Sequence, residues 1–225
     1  SNYIGTKYAT GTSNGTDALK LSAQSLNIEG STCVLIPANT FIATILGVEQ
    51  ALPNAEFVLI DCDEYYQINT DEIECFLNEH RHLYTNIVIV PVHLYGYSCD
   101  MDRICQLSHD YDCIIIEDAS QSHGTLWKNK CVGTFGDVSA FSLYPGKNLG
   151  AAGDAGIITT NDETIYNKLQ KLRNFGSVKK HKHEIRGGNH RLDTIQAIIL
   201  NQKIKYIESW NDQRRSIVKK YEENI

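Results

Sequence analysis

The feature that most constrains the fold of this chain is the stretch VSAFSLYPGKNLGAAGDAG at residues 138–156. Its apolar start predicts a buried strand that ends at Ser142, and Pro145 and Gly146 predict a turn that presents Lys147. Two interpretations of this lysine are open on the stretch alone. It is either an amine that attacks a carbonyl group to form a Schiff base, or a charged side chain in a solvated loop.

Short apolar runs alternate with helical stretches along the rest of the chain, which is typical of an α/β layered domain. We expect strands at 34–36, 57–60, 87–90, 113–116, 138–141 and 156–159. We expect helices at 17–26, 43–51, 71–78, 101–111 and 162–172, and a further helix after Asn189. Asp100 and Asn161 each precede a predicted helix and are expected to be its N-cap.

Polar residues follow four of the predicted strands, namely Asn39, His93, Asp118 and Ser142. Open α/β sheets bind ligands at the carboxyl ends of their strands, so this pattern predicts a ligand site. Asp118 is the most informative, because a carboxylate at the end of an apolar strand is costly to bury without a partner. The alternative for each is a structural role, such as an N-cap in the case of Asp118. Glu117 should face the opposite side of the sheet.

Composition excludes several classes of partner. The 225 residues include 27 acidic and 21 basic ones, and this net charge of −6 disfavours non-specific binding to nucleic acid. No apolar run reaches membrane-spanning length, so we expect no membrane association and a cytoplasmic location. The seven cysteines include no C-x-x-C pair, which favours reduced buried thiols over a disulfide or zinc framework. The absence of G-x-G-x-x-G after an early strand disfavours a dinucleotide dehydrogenase.

The segment KKHKHEIR at residues 179–186 is basic and rich in histidine. A metal site with His181 and His183 is one interpretation, and a solvated loop is the one we favour. We therefore predict no metal in this protein.

Three motifs link this chain to a known family. GTSNGTDAL, SLYPGKNLGAAGDAG and GGNHRLDTIQAIIL resemble, in the same order, segments of the DegT/DnrJ/EryC1/StrS family, and the similarity covers nearly the whole chain. Members are nucleotide-sugar aminotransferases that use pyridoxal phosphate. The resemblance implies an aminotransferase of fold type I, with a three-layer α/β/α large domain around a mostly parallel central sheet.

The resemblance also implies how the chain is divided. Residues 1–175 would form the cofactor-binding large domain without its N-terminal segment. Residues 176–225 would be a substrate loop and a connecting helix towards a C-terminal small domain that is largely absent. We therefore expect this chain to be part of a longer polypeptide.

Four residues acquire roles at the cofactor ring from the resemblance. Lys147 would hold pyridoxal phosphate as a Schiff base and later move a proton. Asp118 would keep the ring nitrogen protonated, and Gln121 would contact the phenolic oxygen. Phe41 would stack on the ring. Without the family, Gln121 is equally well an exposed residue at a helix start, and Phe41 is by default a core aromatic.

The resemblance assigns the cofactor phosphate to Gly15 and Thr16 at a helix start, and to the hydroxyl group of Ser142. Asn189 would reach the phosphate from the partner subunit, which implies a homodimer with shared active sites. The residues alone leave simpler readings open, because N-G-T-D also makes a good turn and cap, and Asn189 suits a turn after two glycines.

The implied reaction is transamination of a nucleotide-diphosphate keto sugar, with glutamate as the amino donor. The segments PVHLYGYSCDM and LRNFGSVKKHKHEIRGGNHRLD resemble most closely those of relatives that act on 4,6-dideoxy-type keto sugars. We therefore expect a 6-deoxy keto sugar, and amination at carbon 3 or carbon 4 stays open. Related dehydratases have histidine in place of the lysine, so Lys147 disfavours that branch. The alternative function is that of a non-catalytic or regulatory member of the same family.

Overall fold

A seven-stranded sheet lies at the centre of the molecule. The computed structural model describes residues 1–179 and 181–225. The strands are β1 (Tyr8–Thr12), β2 (Thr32–Pro37), β3 (Glu56–Ile60), β4 (Asn86–Ile89), β5 (Ile114–Asp118), β6 (Leu126–Trp127), β7 (Lys130–Cys131), β8 (Val138–Ser142) and β9 (Gly156–Thr160). The helices are α1 (Gly15–Ser25), α2 (Ile42–Ala51), α3 (Thr70–His80), α4 (Met101–Tyr111), α5 (Glu163–Leu172), α6 (Thr194–Lys203) and α7 (Ile207–Asn224).

The strand order of the sheet is β1-β9-β8-β5-β4-β2-β3. The pairs from β8 through β5, β4 and β2 to β3 are parallel, whereas β9 is antiparallel to both of its neighbours. Every strand of the seven-stranded sheet except β9 therefore runs in the same direction, so their carboxyl ends lie at one edge. β6 and β7 form a separate two-stranded hairpin.

Helices cover both faces of the sheet. Successive side chains of a strand point to opposite faces, so each face presents apolar side chains against which helices pack. Val34 and Ile36 pack in one apolar cluster with residues of α1, α2 and α5. Cys33 and Leu35 pack in a second cluster with residues of α3 and α4. Strands β2, β4, β5 and β8 are buried on both faces, as parallel strands generally are, whereas the edge strand β3 is partly exposed. The result is the expected three-layer α/β/α arrangement around a mostly parallel sheet.

The structure confirms all of the predicted strands and helices to within a few residues. The N-cap prediction for Asp100 is also confirmed, because its Oδ1 accepts a hydrogen bond of 3.0 Å from the Arg103 N–H. The N-cap prediction for Asn161 is wrong. Asp162 caps α5 instead, through a bond of 2.9 Å from the Ile165 N–H, while Asn161 accepts from the distant Lys7 N–H at 3.0 Å.

The seven cysteines are all free thiols, and Cys33, Cys99 and Cys113 are buried. Across residues 1–179 and 181–225, no helix is both long and apolar enough to cross a membrane. The same residues contain no group of three or more metal-ligating side chains gathered to hold an ion.

The segment 179–186 includes Lys180, which lies outside the described residues. Elsewhere in this segment, Glu184 pairs with Lys182 at 3.0 Å and with Lys171 at 2.6 Å. His183 lies within hydrogen-bonding distance of the Phe175 carbonyl, at 2.8 Å. These exposed contacts are those of a charged surface loop.

Candidate active site

A cavity of about 370 Å³ opens at the carboxyl edge of the sheet. This volume lies in the range of small-molecule sites. The walls come from the start of α1, the start of α2, and the loops that follow β5 and β8. Among the predicted site residues, it is lined by Gly15, Thr16, Phe41, Asp118, Gln121, Ser142 and Lys147.

Asp118 ends β5 and is only 3% exposed. Its Oδ2 accepts a hydrogen bond of 2.8 Å from the Thr44 hydroxyl, and its Oδ1 accepts one of 3.1 Å from the Ser120 N–H. The Thr44 hydroxyl lies in turn 2.7 Å from that of Thr40. Asp118 forms no ion pair with any residue of the described chain. A carboxylate held by neutral donors at a cavity wall suits a protonated nitrogen inside that cavity.

Glu117 faces the opposite side of the sheet, as strand alternation predicts. Burial alone would raise the pKa of Glu117, but hydrogen bonds from His93 and from backbone N–H groups outweigh it and lower the pKa. Its carboxylate accepts hydrogen bonds of 2.7–3.0 Å from His93, Gly133, Phe135, Gly136 and Ser139. This side chain therefore stabilises the fold behind the cavity.

Two of the polar residues that follow strands have structural roles. His93 is fully buried, and its Nδ1 accepts a hydrogen bond of 3.2 Å from the Cys99 N–H. Its Nε2 therefore carries the proton and donates to Glu117. Asn39 donates from its side chain to the Tyr66 carbonyl at 3.0 Å. Neither residue lines the cavity.

The amide group of Gln121 is oriented by the loop that follows β4. Its Oε1 accepts a hydrogen bond of 2.9 Å from the Tyr95 N–H. A backbone N–H only donates, so the amide oxygen must face Tyr95 and the Nε2 group must point elsewhere. In the described part of the chain, that Nε2 group has no acceptor. It is thus available to donate to an oxygen atom in the cavity.

The start of α1 packs directly against Ser142. A Cβ atom at Gly15 would lie 2.6 Å from the Ser142 Cβ, so only glycine fits here. Asn14 caps the helix, with its Oδ1 accepting a bond of 2.7 Å from the Asp17 N–H. The N–H groups of Gly15 and Thr16 have no acceptor within the described residues. These two donors and the Ser142 hydroxyl form a cradle for an anion.

Lys147 lies in a turn closed by a hydrogen bond of 2.9 Å from its N–H to the Tyr144 carbonyl. Its ammonium group forms no ion pair with the residues that the structure describes. His123 lies nearby with a buried ring against Phe141. Burial, and then the positive charge of Lys147, lower the pKa of His123 to about 4, so this ring is neutral near pH 7.

Phe41 precedes α2 and is 68% exposed. The default interpretation, in which Phe41 is one more core aromatic, is therefore wrong. Asn189 is exposed, pairs with Asn174 in an isolated bridge, and does not line the cavity of its own chain.

Sequence reasoning missed Thr44, although it is fully buried between Phe41 and Asp118 in the cavity wall. Thr44 lies in the first turn of α2, and its N–H donates a hydrogen bond of 3.0 Å to the carbonyl group of Phe41, which precedes the helix. No local sequence pattern indicates its contact with Asp118, which is 74 positions away. Asp154 and Tyr144 also line the cavity and were not predicted.

Known proteins are similar to this chain over almost its whole length. The model of the DegT/DnrJ/EryC1/StrS aminotransferase family matches residues 1–225. The chain is 43% identical to the dTDP-3-amino-3,6-dideoxy-alpha-D-galactopyranose transaminase of Aneurinibacillus thermoaerophilus, across 99% of this chain and 60% of that protein. It is 36% identical to the "Pleiotropic regulatory protein" of Geobacillus stearothermophilus, across 95% of this chain and 56% of that protein.

A solved structure is also similar to this chain. The crystal structure of S. venezuelae DesV in complex with a ketimine intermediate has a TM-score of 0.89 and 35% identity, covering 98% of this chain and 58% of DesV. The fold is thus that of the fold type I aminotransferases, while the chain spans 56–60% of the length of these relatives. Because the family model covers every residue, the chain belongs to the DegT/DnrJ/EryC1/StrS aminotransferase family.

Proposed function

We propose that this protein is a pyridoxal-phosphate-dependent aminotransferase that acts on a nucleotide-diphosphate keto sugar. The observation that carries the proposal is that Asp118 at the end of β5, Gln121 in the loop after it and Lys147 in the loop after β8 line one cavity. Membership of an aminotransferase family supports it, as does the 43% identity to a relative named as a sugar transaminase.

The cavity residues fit the chemical groups of pyridoxal phosphate. The free N–H groups of Gly15 and Thr16 and the Ser142 hydroxyl suit its phosphate, and a Cβ at Gly15 would fill that cradle. The Asp118 carboxylate suits its protonated ring nitrogen, and the Gln121 amide suits its phenolic oxygen. When bound, this cofactor supplies an electron sink for the reacting carbon.

Each protein group then has a defined task. Lys147 would hold the cofactor through Nζ, and its amine would serve as the base that carries a proton between two carbon atoms. Asp118 would hold a proton on the ring nitrogen. The Thr44 hydroxyl and the Ser120 N–H donate hydrogen bonds to the Asp118 carboxylate and orient it. Phe41, which lines the cavity, would stack on one face of the ring.

The substrate pair is the finer part of the proposal. We assign glutamate as the amino donor and a 6-deoxy keto sugar as the acceptor. The relative from A. thermoaerophilus is named for a 3,6-dideoxy sugar, which supports a 6-deoxy acceptor. A panel of nucleotide keto sugars, offered to the full-length protein with glutamate, decides the nucleotide and the choice between carbon 3 and carbon 4.

A regulatory protein is the second candidate, favoured by the 36% identity to the "Pleiotropic regulatory protein". Absorption spectroscopy separates the two candidates. An aminotransferase loaded with pyridoxal phosphate is yellow, and its visible band bleaches when glutamate is added. A band that is unchanged by glutamate and by every candidate amino donor contradicts the proposed activity and favours the regulatory candidate.

We also propose a homodimer in which Asn189 reaches the cofactor phosphate of the partner. The support is that Asn189 is exposed and lies outside the cavity of its own chain. A two-fold dimer repeats this contact at both sites. In a mixed dimer of Lys147→Ala and Asn189→Ala chains, one site then carries both defects and the other carries neither.

Subunit mixing tests the shared site. The two variants, each impaired alone under limiting cofactor, are refolded together with different tags that report chain exchange. We expect activity to return, up to about one working site per mixed dimer. Activity that stays at the level of the separate variants, despite confirmed exchange, means that Asn189 acts within its own chain.

A further inference from the structure

Asn211, in α7, contacts two loops of the candidate active site. Its side chain is polar, yet the residue is only 6% exposed. Its Nδ2 donates a hydrogen bond of 3.0 Å to the His123 carbonyl, and its Oδ1 accepts one of 3.1 Å from the Asn148 amide. His123 lies two residues after Gln121, and Asn148 directly follows Lys147. One buried amide therefore joins the two loops.

The chemistry of the partners fixes the orientation of this amide. The His123 carbonyl only accepts hydrogen bonds, so the NH₂ group of Asn211 must face it. The Oδ1 atom is then left for the NH₂ group of Asn148. The Arg214 guanidinium also approaches this oxygen, at 3.5 Å. Any displacement of the loops leaves a buried amide without its partners, which is costly.

The helices α6 and α7 also contact the loop that follows β8, which carries Lys147, at further points. Gln196 accepts a hydrogen bond of 2.9 Å from the Ala152 N–H, and the Lys203 ammonium group donates to the Gly150 carbonyl. Between these bonds, the loop buries apolar side chains against the two helices. The shared cluster comprises Leu143, Leu149, Ala151, Ala155, Leu200 and Ile207.

We infer that Asn211 is a positioning residue. It fixes the loop that follows β8 and carries Lys147 (the Lys147 loop) relative to the loop that follows β5 and carries Gln121 (the Gln121 loop). The inference rests on the proposed function, in which Lys147 and Gln121 contact one small cofactor. Two groups on a rigid ring tolerate little relative movement of the loops that carry them. Asn211 does not line the cavity, and it acts through Asn148 and the His123 carbonyl.

The test uses four variants of the full-length protein: Asn211→Ala, Asn148→Ala, the double variant, and Gln213→Ala. Gln213 is exposed on the same helix and serves as the matched control. Hydrogen exchange of the amides at 148–152 is measured without cofactor. The rate at which pyridoxal phosphate labels Lys147 is measured by borohydride trapping. The thermal midpoint of each variant is recorded alongside.

We expect Asn211→Ala to speed exchange in the Lys147 loop and to slow labelling, each by about fivefold to tenfold. Gln213→Ala should match the wild type. Asn148→Ala should show the same direction of change, and it keeps the test open if Asn211→Ala fails to fold. The double variant should be no worse than Asn211→Ala, because both substitutions remove the same hydrogen bond.

Three results would overturn the inference. Exchange and labelling of Asn211→Ala at the control values mean that the amide positions nothing. Faster exchange throughout the sheet, in proportion to a lower thermal midpoint, means that Asn211 only stabilises the fold. Additive effects in the double variant mean that the two residues act independently. A wild-type protein that takes no label on Lys147 contradicts the proposed function itself, and the inference loses its basis with it.

Discussion

The hydroxyl group of Thr44 donates a hydrogen bond of 2.8 Å to the carboxylate of Asp118, although the two residues are 74 positions apart. Thr44→Val removes this donor at nearly constant volume and leaves a buried acceptor unpaired, at a cost of about 1–3 kcal/mol. We expect weaker binding of pyridoxal phosphate and a lower free energy of unfolding, measured by titration and by urea. Thr44→Ser keeps the hydroxyl and is the control. Equal binding by the two variants would refute this role for Thr44.

Asp118→Asn removes the charge and retains the size of the side chain. We expect transamination to slow by orders of magnitude, because a neutral amide holds the proton on the ring nitrogen poorly. The fold should survive, as circular dichroism and thermal unfolding would report. If the variant turns over at the wild-type rate, the role of electron-sink partner belongs to another residue.

Gly15→Ala tests the anion cradle. The new Cβ would lie 2.6 Å from the Ser142 Cβ, so the start of α1 must move away from β8. We expect the variant to lose the cofactor during dialysis. This measurement needs neither glutamate nor sugar, so it reports on cofactor binding alone. Gly146→Ala is the matched control, since a Cβ there meets only ordinary contacts at 3.7 Å. Retention that is equal in both variants would remove Gly15 from the phosphate site.

His123 should make the stability of the protein depend on pH. Burial, and then the charge of Lys147, lower its pKa to about 4, against about 6.5 in the unfolded chain. Between these values the unfolded state binds more protons, so the free energy of unfolding falls as the pH is lowered. The fall attributable to this group is at most about 3–4 kcal/mol.

Urea unfolding of the wild type and of His123→Gln, from pH 7 to pH 4, isolates this contribution. Carboxylates titrate in both proteins, so only the difference between the two profiles reports on His123. We expect the wild type to lose more stability than the variant below about pH 6.5. Parallel profiles would show that the ring is not held neutral in the folded state.

The sequence predicted the parallel strands well because their buried runs, such as IIIED at 114–118, have no other plausible reading. It did not predict β1, because YATGT carries few apolar residues and forms an edge strand by pairing with the distant β9. The N-cap prediction for Asn161 was wrong because its side chain also makes a contact that is distant in the sequence. Its oxygen is used by Lys7, which is 154 positions away.

The candidate site also contains both residues that local motifs predict and residues that they do not. Residues within the contiguous motifs, such as Gln121 and Lys147, were predicted and do line the cavity. Thr44 and Asn211 were not predicted, because each acts through a hydrogen bond to a residue far away in the sequence. The direction of the Gln121 amide also depends on Tyr95, which no local pattern indicates.

The most direct test of the central claim is to locate the lysine that holds pyridoxal phosphate. The full-length protein is loaded with the cofactor, reduced with borohydride, digested and mapped by mass spectrometry. We predict a pyridoxyl group on Lys147 and no specific label in Lys147→Ala. Lys128 pairs with Asp102 and Lys130 lies over the ring of Phe135, both outside the cavity. A label on either of these lysines, with Lys147 unmodified, would contradict the account.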